Sequence, residues 1–190
     1  MEHAPLIRQL NLADLDAFFQ LRLRGLQAHP EAFGTSHQEA LEKGPAQYEA
    51  ILQGDQAVEG NFILGAFAAQ DLGLIGTVGL RREPRVKERH KAVVVGMYVA
   101  PEAAGRGVGR ALLNDLLARS EWIEGLRQIQ LVVTKQNEAA RHLYESLGFR
   151  CYGREVDALR IDGVFHDADL MARLIWGHGQ PAGSCNVRFV

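Results

Sequence analysis

Hydrophobic positions change their rhythm twice along this chain. Residues 5–10 can form a short strand. From residue 12 to 28 apolar residues recur at helical spacing, Leu15, Phe18, Phe19 and Leu26 among them, with Asn11 placed as the N-cap. His29-Pro30 stops that helix, because the residue before a proline is driven out of the helical region. Ser36-His37-Gln38-Glu39 has the capping-box form and opens a second helix, broken near Gly44-Pro45 and resuming to Gln53. From residue 61 the period shortens. Residues 61–68, 72–81 and 91–100 read as three strands, the last preceded by the charged connection EPRVKER. Such a meander is most simply antiparallel.

The rhythm then lengthens again. Residues 107–119 are helical, with Val108, Ala111, Leu112 and Leu116 in one stripe. Residues 128–134 form a strand, apolar at Ile129, Leu131 and Val133. A helix over 137–147 is closed by Gly148 as a left-handed cap. Strands over 149–159 and 165–175 flank Asp162-Gly163, a hairpin turn. The pattern predicts one domain over residues 1–176 and a loose tail over 177–190. That tail is apolar at Val187, Phe189 and Val190, which suits packing on a second copy in a homodimer.

Composition narrows the function classes. The 190 residues are 47% hydrophobic with a net charge of -2, so a real core is expected and a basic nucleic-acid stripe is not. No basic region leads into an apolar run at the N-terminus, and no apolar run reaches the roughly 18 residues of a membrane helix. Neither a signal peptide nor a membrane association is expected. Cys151 and Cys185 show no CxxC spacing, and a cytoplasmic protein fits this usage. The seven histidines form no HxH or HxxxH pair, so no metal site is expected.

The candidate chemistry lies in MYVAPEAAGRGVGRALL, residues 97–113. A strand turns at a proline, passes Gly105, Gly107 and Gly109 at alternate positions, and enters a helix. Bared amides at a helix N-terminus suit a phosphate or pyrophosphate. Arg106 and Arg110 can add charge-assisted contacts. A P-loop is excluded, because Gly109 is followed by Arg110-Ala111 and not Lys-Ser/Thr. The dinucleotide fingerprint fails too, since no glycine stands three positions after either glycine pair.

Together with QLVVTKQNEAARHLYESLGF, residues 130–149, this stretch resembles the GCN5-related N-acetyltransferase (GNAT) family. The first segment is similar to its acyl-CoA pyrophosphate loop, in which Gly107 and Gly109 match and Ala104 stands where Gln or Arg is usual. Arg106, inside the loop, can compensate. The resemblance is strong over about residues 91–150. It implies an α/β fold with a mixed, mostly antiparallel, splayed sheet and helices on both faces. It also implies acetyl-CoA as co-substrate and transfer of acetyl to a primary amine of a small molecule or a protein.

The resemblance further implies roles for residues. Gly105, Arg106, Gly107, Val108, Gly109 and Arg110 would hold the diphosphate. Backbone at Met97 and Val99 would pair with pantetheine, and a backbone N–H near Val99 would polarise the thioester carbonyl. Asn137 reads from the sequence as an N-cap and from the family as a pantetheine contact. Tyr144 shares a helical face with Ala140, Leu143 and Leu147, so periodicity alone makes it a core aromatic. The resemblance makes it the general acid that protonates the leaving thiolate. Glu31, Glu39 and Asp167 are base candidates by region only, and each also reads as a surface carboxylate. His90 and His142 are available by their ordinary pKa without a motif. Cys151 reads as a buried structural thiol. Two other functions remain open: a non-catalytic acyl-CoA-binding regulator, and a transferase using a longer acyl-CoA.

Overall fold

A computed structural model describes residues 4–54, 60–69 and 72–175. The tail over 177–190, with Cys185, lies outside the described residues. The elements run β1 (Leu6–Gln9), α1 (Leu15–Ala28), α2 (His37–Lys43), α3 (Glu49–Leu52), β2 (Phe62–Phe67), β3 (Leu74–Arg82), β4 (Lys91–Val99), α4 (Val108–Ser120), β5 (Gln128–Thr134), α5 (Glu138–Ser146), β6 (Arg150–Ile161) and β7 (Val164–Leu174). The elements expected from the sequence are present within two residues of their expected bounds, except that α1 begins at Leu15, three residues later than expected. A single 3-10 turn, Leu12–Asp14, leads into α1, and another, Pro45–Tyr48, joins α2 to α3.

The strands form one seven-stranded sheet in the order β1-β2-β3-β4-β5-β7-β6. β1 to β4 make the antiparallel meander. β4 and β5 are parallel neighbours, and β7 pairs antiparallel with both β5 and β6. The turn between β6 and β7 has Asp162 at φ 48° and Gly163 at φ 83°, the left-handed pair that matches the twist of a two-residue hairpin.

Helices cover both faces. On one, the stripe of α4 buries Val108, Leu112, Leu113, Leu116 and Leu117 against Leu64, Val78, Leu80 and Val94. Ala111, expected in that stripe, is only half-buried. On the other face α1 places Phe18 against Ile63, and Leu21 against Tyr98 and Ala100. The start of α1 is fixed by a reciprocal cap. Asn11 Oδ1 accepts the Ala13 N–H at 2.9 Å, and Asp14 accepts the Asn11 N–H at 2.9 Å. Arg8 holds the same Asp14 carboxylate through two bonds of 2.7 Å, keeping it below the usual carboxylate range.

Candidate active site

The sheet opens between its two central strands. β4 and β5 pair only at Lys91–Gln128, Ala92–Ile129 and Val93–Gln130, then separate, although β4 continues to Val99 and β5 to Thr134. β3 still covers the far edge of β4 as far as the Gly76–Val99 pair. The near edge of β4 from Val94 onward therefore faces a gap. The Ala100 N–H is donated to Ile75 O on β3 at 2.8 Å. Successive peptide groups of a strand point to opposite edges, so those of Val99 and Met97 are directed into the gap.

A bulge sets this arrangement. The β3–β4 register shifts between Thr77 and Gly79, opposite Gly96, whose φ is +61°. The Thr77 hydroxyl donates to Gly96 O at 3.1 Å and fixes the distortion. Before the bulge, Ala92 and Val94 face α4; after it, Met97 and Val99 take that face, while Tyr98 turns toward α1. A regular strand would have placed residues 94 and 97 on opposite faces. The isolated glycine in an otherwise apolar strand is the sequence signal for this bulge.

The glycine turn stands beside the open end. A 3-10 turn over Pro101–Ala103 leads to Ala104, then to Gly105 at φ +74° and Gly107 at φ +76°. No atom lies within 4 Å of where a Cβ on Gly105 or Gly107 would sit. Both glycines are therefore required by backbone conformation, and both front open space. Gly109 is required for a different reason. A Cβ there would stand 3.0 Å from Met97 Cε and 3.5 Å from Leu143 Cδ2, so the bare backbone lets α4 approach β4 and α5 closely. Gly107 is the N-cap of α4, and the first amides of the helix, at Val108, Gly109 and Arg110, have no acceptor within it. The Val108 side chain is buried in the core, leaving only its amide to face outward. Arg106 is exposed on the turn, and Arg110 donates to Ser146 Oγ at 3.0 Å, bridging α4 to the end of α5.

Between the splayed strands lies a cleft of about 610 Å³. Val93 to Met97, Leu131 to Thr134, Asn137, Ala140 and Tyr144 form its floor and one wall. The segments around α1 to α3 roof the other end with Phe18, Arg22, Glu31, Phe33 and Tyr48. Asn137 is the N-cap of α5, accepting the Ala140 N–H at 3.2 Å, and its side chain also borders the cleft.

Tyr144 borders the cleft while only 7% exposed, its ring set edge-on to Phe149 at 5.9 Å. Its hydroxyl makes no hydrogen bond among the described residues. Burial pushes the phenol up to about 12, so it is neutral at any physiological pH and keeps a proton to donate. The ring meets the core reading of Tyr144, and the residue also borders the cleft.

The base candidates are scattered. Glu31 borders the cleft and lies 3.4 Å from His29 Nδ1. Glu39 instead closes the capping box of α2, accepting the Ser36 N–H at 2.8 Å. Asp167 accepts the Asp157 N–H at 3.2 Å and holds a bulge in β6 where Asp157 has φ 55°. That bulge aims Glu155, Ala158 and Leu159 at the cleft. Glu155 was not identifiable in the sequence, because the face of a strand residue beyond a bulge does not follow from alternation. His90 and His142 are exposed and do not line the cleft. Cys151 is corrected: it is exposed, on an edge strand, with its thiol donating to Gly153 O at 3.3 Å. It lies on the outermost strand of the sheet, which has a strand neighbour on one side only. No group of three or more metal-ligating side chains occurs among the described residues. Nor is any described helix long and apolar enough to cross a membrane.

Structural comparison first defines the class. An acetyltransferase of the GNAT family from Streptococcus pneumoniae superposes with a TM-score of 0.80 at 25% identity, covering 90% of this chain and 99% of its own. A GNAT superfamily phosphinothricin acetyltransferase from Sinorhizobium meliloti, in complex with AcCoA, gives a TM-score of 0.77 at 21% identity, covering 94% and 93%. The family model described as acetyltransferase (GNAT) family matches residues 26–149, and the chain belongs to that family. Among relatives by sequence, a spermidine N(1)-acetyltransferase of Vibrio cholerae is 34% identical over 94 residues, 50% of this chain and 54% of the relative. An N-acetyltransferase of Streptomyces griseus is 36% identical over 93 residues, 47% and 46% of the two chains. The chain thus aligns with about half the length of these curated relatives.

Proposed function

We propose that the protein transfers an acetyl group from acetyl-CoA directly to a primary amine. The observation that carries this reading is the parting of β4 from β5 after Val93 and Gln130, beside the glycine-rich start of α4. An extended thioester arm fits the open edge of β4 as an added strand, hydrogen-bonded to the backbone of Met97 and Val99. The amides from Gly105 to Arg110 receive the diphosphate at the positive end of the helix. Arg106 adds charge there, and Arg110, held by Ser146, frames the rim. The vacant space beside Gly105 and Gly107 fits such a group, since side chains at either position would intrude on it. Asn137 keeps its amide N–H groups for the arm while its oxygen caps α5.

In the reaction the amine lone pair attacks the thioester carbonyl carbon, and the carbonyl electrons move onto oxygen. The Val99 N–H stabilises that oxyanion. Collapse breaks the C–S bond and releases the thiolate, to which the Tyr144 hydroxyl donates. Full proton transfer from a phenol near 12 to a thiolate of ordinary pKa, about 8.5, is uphill by about 5 kcal/mol. The burial that raises the phenol also raises the proton affinity of a sulfur beside it, so the hydrogen bond forms first and the transfer comes late. The proton lost by the amine goes to a cleft carboxylate, Glu31 or Glu155, directly or through water.

The test is thiol release from acetyl-CoA across a panel of amines that includes spermidine, named in the relatives' activity. Amine-dependent release supports the reading. Tight acetyl-CoA binding with no release for any amine would favour a non-catalytic acyl-CoA-binding module. Competition between acyl chain lengths separates a transferase of longer acyl groups.

A further inference from the structure

The end of the cleft roofed by α1 to α3 holds a guanidinium that forms no ion pair among the described residues. Arg22, on α1, is half-buried, borders the cleft, and lays its guanidinium 4.5 Å from the Phe33 ring centroid. Its Nη1 is buried with no hydrogen-bond partner, and no described carboxylate forms an ion pair with it. A buried guanidinium N–H left unpaired is costly, and such groups in folded proteins normally have an acceptor. Arg81, on β3, borders the same cleft and also forms no ion pair among the described residues. It shares the sheet face of Gly79 and Val95, two residues along the strand from Gly79. The cleft's two carboxylates, Glu31 and Glu155, balance these two cations in charge.

From this arrangement we infer that the acceptor is an amine that also carries an anionic oxyacid group, a carboxylate or a phosphorus oxyacid, and that Arg22 binds that group. The inference rests on the acetyl-transfer reading and narrows its substrate class. Stacking on Phe33 fixes the plane of the guanidinium, which leaves its N–H fork arranged for two parallel bonds to one oxyacid. Arg81 adds a second positive charge on the sheet side. The amine is then turned toward the carboxylates and the thioester. A polyamine fits this lining poorly. It brings two or more ammonium groups and no acceptor for Arg22, so the buried N–H stays unpaired and like charges are brought together.

The experiment compares matched pairs: an amino acid with its decarboxylated amine, and an aminoalkyl phosphonate with the corresponding alkylamine, alongside spermidine. Thiol release is read as kcat/KM. Each member that carries the oxyacid group should exceed its partner without it by at least tenfold. In Arg22→Gln this ratio should fall toward one, chiefly through KM of the anionic member, while acetyl-CoA affinity by calorimetry stays within twofold. Arg22→Lys keeps the charge without the fork and should recover only part of the ratio, which guards against a folding defect in the first variant. Binding of the anionic amine to the CoA-loaded protein, followed by thermal shift, gives a readout independent of turnover and should be lost in Arg22→Gln. Decarboxylated amines or spermidine turned over as well as the anionic amines would overturn this inference and leave the acetyl-transfer reading intact. Failure of the wild-type protein to bind acetyl-CoA would overturn both.

Discussion

The Phe149 N–H donates to the Tyr144 carbonyl at 3.1 Å while their rings meet edge to face at 5.9 Å. The Gly148 N–H donates to Glu145 O at 3.0 Å, with Gly148 at φ +86°. These two bonds make the Schellman turn that ends α5, and the ring contact is its accompanying apolar clasp. Tyr144 is thereby held at the helix end by a fully buried neighbour, Phe149, whose own position is set by the core. This turn holds Tyr144 beside the cleft, and its hydroxyl makes no hydrogen bond among the described residues.

The first prediction separates fold from chemistry at Tyr144. Because the hydroxyl has no hydrogen-bond partner among the described residues, Tyr144→Phe should change stability by less than about 1 kcal/mol. It should lower kcat by tenfold or more, with acetyl-CoA affinity little changed, given that donation matters only as the thiolate departs. Single-turnover kinetics beside denaturant titration reads both. Unchanged kcat with chemistry rate-limiting would remove the donor role.

Alkaline titration gives a second check. The folded phenol sits near 12 and the unfolded one near its ordinary value of about 10. Below pH 10 both states hold the proton and the group has no effect on the slope. From pH 10 to 12 the unfolded chain loses it first, so stability falls as pH rises, by about 2–3 kcal/mol in all. Tyr144→Phe should lack that component, and a wild-type curve parallel to the variant's across pH 10–12 would contradict it.

The turn after α5 is the subject of the third. Gly148→Ala forces a side chain into the left-handed region and should cost about 1–2 kcal/mol. Because the same turn places Tyr144, kcat should fall with it. A urea midpoint equal to the wild type's would show that the turn is not under this constraint.

At the other end of the chain, Asp14 joins Arg8 to the cap of α1. Asp14→Ala should cost about 1–2 kcal/mol at neutral pH, the loss of a cap and its ion pair. The folded carboxyl is depressed, so its contribution is present above the unfolded pKa and disappears as pH falls through the folded one. The gap between wild type and variant should therefore narrow below about pH 4. A gap independent of pH would contradict the assignment.

What could be read from the sequence was mostly local. Caps at Asn11, Ser36 and Gly148, the Asp162-Gly163 hairpin and the glycine turn are each specified by a few adjacent residues, and each is where the pattern put it. The sequence motifs also led to Tyr144. Other features depend on distant partners. That β7 lies between β5 and β6 follows from pairing over forty residues of chain, which periodicity does not encode. The bulge at Gly96 inverts the alternation of β4, and the bulge around Asp157 brings Glu155 to the cleft. Cys151 reads as core by residue type and is exposed because its strand is an edge. Arg22 carries no sequence signal at all, since only its surroundings show that its Nη1 has no partner among the described residues.

The glycine turn itself bears the most direct test. Acetyl-CoA titrated calorimetrically into the wild-type protein should bind one per chain and raise the thermal midpoint. Gly107→Val, which fills the open space at φ +76°, should weaken that binding at least tenfold. Absence of heat and of any thermal shift with millimolar acetyl-CoA, or equal affinity in Gly107→Val, would contradict the claim that these amides hold a thioester carrier.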